Sequence, residues 1–289
     1  MTDKGKDTLQ KDHNGLTEEE FLAAYEPGDY LRPSVATDMV IFTVTDAEEE
    51  NYRKLARKEL RILLIKRGAH PYLGSWALPG GFVRPTETTE EAAARELREE
   101  TGVDKVYLEQ LYTFSNPDRD PRTWVMSCSY MALIDSSRVQ IEAGDDAAQA
   151  AWFQTSFCKI EQEDRRELWE LTLFHKETAL RALIEKETGR PFSECKILDS
   201  GGLAFDHARI LACGYERLRG KLSYTDLALH LMPEYFTLTQ LQQVYEVVLD
   251  REFPAAAFRR KAAPMVTETD CYTENEGHRP SRLYRKNEG

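Results

Sequence analysis

The chain has 289 residues, 41% of them hydrophobic and 10% aromatic, which is room for two domains with ordinary cores and excludes a disordered chain. Its formal net charge of −12 excludes a general polyanion binder, so any nucleic-acid contact must come from a local basic patch. No apolar run approaches the roughly 20 residues that cross a bilayer, and the opening MTDKGKDTLQKDHNG has no apolar signal core. Cys128, Cys158, Cys195, Cys213 and Cys271 are odd in number and never spaced C-x-x-C, against both a disulfide framework and a zinc site. The simplest expectation is a cytoplasmic protein with reduced thiols and no membrane partner.

Residues 1–15 are polar, with no expected structure. Thr17 and Glu20 have capping-box spacing, predicting a short helix through Phe21 to Tyr25 before Pro27 and Pro33 break the chain. Val35, Met39, Val40, Ile41, Phe42 and Val44 read as a buried strand. The charged AEEENYRKLARKE reads as a solvated insertion or short helix, RILLIKR as a second strand, and Pro71 to Pro79 as a loop. Thr88 and Glu91 form another capping box, with Gly102 as the stop, so EAAARELREET is helical. Strands follow at Val106–Phe114, Trp124–Ile134 and LWELTL, and KETALRALIEKET reads as a helix. Beyond Gly201 and Gly202 come three helix-like blocks, FDHARILACGYERLRGKL, TLTQLQQVYEVVLD (capped by Thr237 and Gln240) and PAAAFRRKAA, and then a strand in HRPSRLYRK. Three helices and a strand pair are the order of a winged helix.

The stretch GFVRPTETTEEAAARELREETGV from Gly81 to Val103 fits G-x5-E-x7-R-E-U-x-E-E-x-G-U, with U aliphatic. Gly81, Glu87, Arg95, Glu96, Leu97, Glu99, Glu100, Gly102 and Val103 fill its fixed positions. A solvated acidic helix face is the ordinary meaning of such a charge run, but it does not put glycines and carboxylates in one register. Glu96, Glu99 and Glu100 stand at i, i+3 and i+4, on one helix face. Carboxylates crowded there repel unless a cation neutralises them. A hard divalent ion does this, magnesium above all because it leaves room for phosphates and water, and manganese takes similar ligands. Such a centre polarises a phosphoryl oxygen and activates water. Arg95, four residues before Glu99, is placed to orient that carboxylate, and Gly80 and Gly81 can bring backbone close to phosphates.

This stretch resembles the Nudix hydrolase superfamily. The resemblance implies an α/β fold, an α/β/α sandwich around a mixed sheet, with Glu96, Glu99 and Glu100 as metal ligands, Glu96 also catalytic, and Glu87, Arg95 and Gly81 supporting catalysis. It also implies a later carboxylate, for which Asp145 and Asp146 are candidates beside the ordinary reading as loop acids. FSNPDRDPR, from Phe114 to Arg122, is similar to a segment of ADP-ribose pyrophosphatases. Arg119 and Arg122 there either meet phosphate or ribose of an ADP-ribose-like nucleotide or pair with Asp118 and Asp120 in a surface turn. Trp76 stacks on a base or, the plainer role, packs.

From Leu203 through PAAAFRRKAA to Arg285 the chain resembles the C-terminal winged helix of Nudix-related transcriptional regulators of NAD metabolism. By that resemblance Arg259, Arg260 and Lys261 lie on a recognition helix, Arg279, Arg282 and Arg285 on a wing, and operator DNA is a partner of a homodimer. A winged helix that packs or dimerises without DNA is the structural alternative, and Glu268, Asp270, Glu274 and Glu276 beside the wing oppose phosphate. The expected division is an N-terminal extension over 1–30, a Nudix domain over 31–198 and a winged helix-turn-helix over 199–289. The favoured expectation is magnesium- or manganese-dependent hydrolysis of ADP-ribose or a near relative to AMP and a sugar phosphate. The alternative is an ADP-ribose-responsive regulator; a silent scaffold fits the intact box poorly.

Overall fold

The computed structural model describes residues 10–47, 56–138, 150–273 and 280–287, and divides after Pro33 into a short N-terminal unit and a large one. Asp145, Asp146, Arg279 and most of the charged AEEENYRKLARKE stretch lie outside the described residues. In the N-terminal unit, helix α1 (Glu18–Ala24) starts at Thr17, whose hydroxyl accepts the Glu20 N–H while the Glu20 carboxylate accepts that of Thr17. None of its residues is buried.

The large unit is built on a ten-stranded mixed sheet. Its strands are β1 (Ser34–Asp46), β2 (Lys58–Lys66), β3 (Trp76–Ala77), β4 (Gly80–Phe82), β5 (Tyr107–Phe114), β6 (Val125–Leu133), β7 (Ala150–Glu163), β8 (Arg166–His175), β9 (Thr178–Glu187) and β10 (Lys196–Asp199). The order is β10-β9-β8-β7-β2-β1-β6-β5, with β3 on β2 and β4 on β1, and β1 runs parallel to β6. In β1 every residue from Met39 to Val44 is buried, the mark of a strand covered on both faces. Met39 and Ile41 face helix α2 (Thr89–Thr101) through Ala93 and Leu97, and Val40, Phe42 and Val44 face helix α3 (His207–Leu222) through Leu211, Tyr215 and Leu218. Phe42 meets Tyr215 edge-on at 5.6 Å, and the Tyr215 hydroxyl donates to Thr155 Oγ1 at 2.8 Å.

One predicted element is corrected. KETALRALIEKET, expected as a helix, is strand β9, paired with β8 from His175↔Thr178 to Arg166↔Glu187. Leu180, Ala182 and Ile184 alternate into the core, a period of two that the helix-forming composition hid; burial on a sheet outranks local propensity.

Beyond α3 come a short 3-10 turn (Leu227–Leu231), helices α4 (Leu238–Leu249) and α5 (Ala255–Ala262), and a hairpin of β11 (Val266–Tyr272) and β12 (Arg282–Lys286). Leu241, Val244, Tyr245, Val248 and Phe258 of this region belong to the same apolar cluster as the α3 side of the sheet. Arg219 of α3 joins the parts, donating to the Val248 carbonyl at 2.9 Å and the Phe157 carbonyl at 2.8 Å. Among the described residues no helix is long and apolar enough to cross a membrane.

Helix α3 approaches the sheet closely because position 214 has no side chain: a Cβ there would lie 2.9 Å from Val40 Cγ1. Gly214→Leu is expected to lower unfolding stability by about 1–3 kcal/mol through overpacking, measured by urea denaturation, whereas the same change at the open Gly220 costs no such amount.

Candidate functional site

Helix α2 opens on the capping box between Thr88 and Glu91 and stops at Gly102, whose φ is 67°. Arg95 is the centre of its acidic face. It donates to Glu87 through Nε at 3.0 Å and Nη2 at 2.7 Å, to Glu96 through Nη1 at 2.6 Å and to Glu99 at 3.3 Å. The Arg95 bonds, with the Arg84 N–H, hold the Glu87 carboxyl down at about 2. Glu96 fits under the glycine loop because Gly81 lacks a side chain: a Cβ there would stand 2.0 Å from Glu96 Oε1. Glu100 differs from its neighbours. Burial first, and then the charges of Glu96 and Glu99, push its carboxyl above the usual range.

The donor chemistry of Glu96, Glu99 and Glu100 fits the divalent cation that a Nudix box implies, being hard oxygen throughout, and the raised Glu100 is what carboxylates lacking a counter-ion show. In this arrangement Arg95 is the cation between Glu96 and Glu99. Among the described residues no three metal-binding side chains converge on one point.

Beside the glycine loop is a cleft of about 200 Å³. Its walls come from Asp38 on β1, Arg67 after β2, Gly80 to Phe82, the Arg119–Arg122 turn, and Phe205 and His207 at the start of α3. Arg119 lies in its floor rather than free: its side chain is 4% exposed, bonded to Asp206 at 2.8 and 3.2 Å and to Asp38 at 3.1 Å. Burial alone would lower its pKa, but Asp38 and Asp206 reverse this and raise it. Arg122 is nearer the solvent and forks onto Asp120 at 2.7 and 3.0 Å. Trp76 packs, 7% exposed and edge-on to Phe153 at 4.7 Å. Asp38, Arg67, Phe205, Asp206 and His207 escaped the motif reading. Arg67 had one signal, a charge at the end of an apolar strand, Asp38 had none, and Phe205, Asp206 and His207 stood in the stretch whose resemblance is to the winged helix rather than to the cleft.

His207 closes the cleft from behind. Its Nδ1 accepts the Leu78 N–H at 2.9 Å, and Nε2 stands 3.6 Å from Asp38. Burial holds its pKa below 6.5 despite Asp38. The unfolded chain therefore takes this proton first as pH falls, so the stability His207 contributes is present above about pH 6.5 and lost below it. The thermal midpoint is expected to drop less between pH 6.5 and 5 in His207→Asn than in the natural protein; parallel curves would refute the assignment.

In the winged helix, α4 ends at Asp250 in the left-handed region and α5 starts after Pro254. Phe258 and Ala262 turn inward, and Arg259 and Arg260 are exposed, with no ion pair among the described residues. Lys261 turns back, donating to the Ser223 carbonyl at 3.1 Å and lying 5.1 Å from the Tyr245 ring. Arg282 is tied to Glu268 and, at 2.9 Å, to the Tyr272 hydroxyl, so Glu268 is neutralised within the hairpin. Glu274 and Glu276, like Arg279, lie outside the described residues.

Sheet, acidic helix and glycine loop define a Nudix domain, here joined to a winged helix. The family model of the NUDIX domain matches residues 37–177, and that of the NrtR DNA-binding winged helix domain residues 228–285. The chain is 36% identical, over 94% of its length and 89% of the relative's, to the ADPR responsive transcriptional repressor NtrR of Acinetobacter baylyi. It is 42% identical to the ADP-ribose pyrophosphatase of Methanocaldococcus jannaschii over 43% of this chain and 63% of that one. The crystal structure of Shewanella oneidensis NrtR complexed with a 27mer DNA matches with a TM-score of 0.60 and 27% identity, covering 88% of this chain and 93% of that one. The chain belongs to the NrtR family of Nudix proteins with a C-terminal winged helix.

Proposed function

We propose that this protein is a transcriptional regulator that takes ADP-ribose, or a near relative, in its Nudix cleft and DNA on its winged helix. The similarity to the Acinetobacter repressor over almost the whole chain carries this reading. The shared core supports it, since a ligand at the start of α3 acts on a helix bonded to α4 at its other end. Arg259 and Arg260 are the groups we assign to DNA, with Arg279 and Arg282 on the wing. Lys261 reaches DNA only by leaving Tyr245. We infer a cytoplasmic homodimer, because such regulators read two half-sites.

The regulator reading predicts binding to the protein's own promoter or to promoters of NAD-pathway genes in a mobility-shift titration. Arg259→Ala/Arg260→Ala should weaken binding and flatten the log–log salt slope by about 0.9 for each DNA phosphate no longer neutralised. ADP-ribose should change the DNA affinity, and DNA the ADP-ribose affinity, by one common factor. Binding no better than to random DNA would falsify this reading.

The intact carboxylates, which meet the cleft where Glu96 packs under Gly81, favour a second activity, hydrolysis of the pyrophosphate. Glu96, Glu99 and Glu100 would hold a magnesium or manganese ion once Arg95 releases its share of Glu96 and Glu99. When bound, such an ion supplies charge to polarise a phosphoryl oxygen and lower the pKa of water. Glu87 fixes the Arg95 fork, and we assign Arg122 to phosphate. Incubation of ADP-ribose with protein and magnesium should release AMP, and Glu100→Gln should cut turnover at least about 100-fold with the fold retained. No AMP from the natural protein leaves the cleft as a sensor alone.

A further inference from the structure

Along the rim of the cleft, rings and guanidiniums alternate. The Arg122 guanidinium carbon is 5.3 Å from the ring centre of Phe82 and 5.8 Å from that of Phe205. The guanidinium of Arg67 is 4.9 Å from the same Phe205 ring, and Tyr72 leans on it at 4.7 Å. The two cations are held unequally. Arg122 is forked onto Asp120, whereas Arg67 donates to the Pro71 carbonyl at 2.7 Å and has no ion pair among the described residues. Phe205 sits at φ 51°, where a bulky residue is strained, so the fold holds this ring in the cleft wall against its backbone preference.

We infer that Phe205 is the platform for the ligand's nucleobase. The base stacks on the ring where Arg67 now lies, and Arg67, displaced, turns its fork to the ligand's phosphates. The inference rests on the reading that the cleft takes a nucleoside diphosphate. Every base has a π face, and stacking on an aromatic side chain strengthens binding roughly five- to 150-fold. A guanidinium suits phosphate better than any other side chain because its fork is planar and permanently charged. Phe205 lies outside residues 37–177 matched by the Nudix model, so this platform comes from the segment that leads into α3 rather than from the Nudix motif.

Calorimetric titration of the full chain with ADP-ribose, ribose 5-phosphate and pyrophosphate tests it, with thermal midpoints as the folding control. Phe205→Leu should weaken ADP-ribose about tenfold or more and leave the two ligands that lack a nucleobase unchanged. Phe205→Tyr should restore the affinity, and Arg67→Gln should weaken ADP-ribose and pyrophosphate alike. If Phe205→Leu binds ADP-ribose as the natural protein does, the inference fails and the proposed function stands. If the natural protein binds no ADP-ribose, the reading of the cleft fails and the inference with it. Should Phe205→Leu lose pyrophosphate and its thermal midpoint together, Arg67→Gln decides, and unchanged ADP-ribose binding there overturns the inference.

Discussion

A guanidinium removed from water is costly unless carboxylates surround it, and Arg119 is surrounded by two, Asp38 from β1 and Asp206 from the turn before α3. That cluster fixes the geometry of everything around the cleft. Asp206 occupies the N-cap of α3 but makes no capping bond, because its oxygens are committed to Arg119. His207, the next residue, takes the Leu78 N–H instead and so pins the strand-to-loop turn that carries Gly80 and Gly81. Arg209 adds a third tie, donating to Asn116 at 3.1 Å. Three segments far apart in sequence are thereby held against one another by charge, in a place where apolar packing alone would leave no cleft.

What could be read in the sequence was mostly what local physics decides. The capping boxes at Thr17, Thr88 and Thr237 all stand as spacing implied, since such a cap needs only residues three apart. Glu99 shares a face with Arg95 as i, i+4 neighbours must, whereas the bonds of Arg95 to the adjacent Glu96 and to Glu87 of the preceding loop show only in the fold. Strand β9 was missed because Lys, Glu, Ala and Leu favour helix, and only the hairpin with β8 shows which pattern wins. The partners of Arg119 were illegible for a different reason. Its own segment offers nearer acids in Asp118 and Asp120, and a local reading pairs it there. The fold gives Asp120 to Arg122 and brings Asp206 across 87 residues to Arg119. Phe205 falls at the start of a helix-like block that resembles the winged helix, and its place in the cleft shows only in its positive φ and its guanidinium neighbours.

The cleft and the winged helix are linked by solid material. Helix α3 begins in the cleft wall, crosses the sheet where Gly214 meets Val40, and ends bonded through Arg219 to α4. Interiors packed in this way move as rigid pieces rather than bending, so a shift at Phe205 has few ways to be absorbed before it reaches α4. An intact acidic face and a regulatory role are compatible in such a design. Under the proposed function, hydrolysis would limit how long a bound ligand stays against α3, and the same carboxylates would set the duration of a signal.

The position of Phe205, Asp206 and His207 has a consequence for how such a protein can be inherited. The cleft's back wall is encoded more than 25 residues after the end of the segment that defines the domain, residues 37–177. A recombination event that transplanted that segment alone would carry the acidic helix and the glycine loop but deliver a gutter with one side missing. The unit that builds the cleft is therefore longer than the recognisable domain, and it runs into the helix on which the winged helix packs. Exchange of one half for another would break packing on both sides of α3.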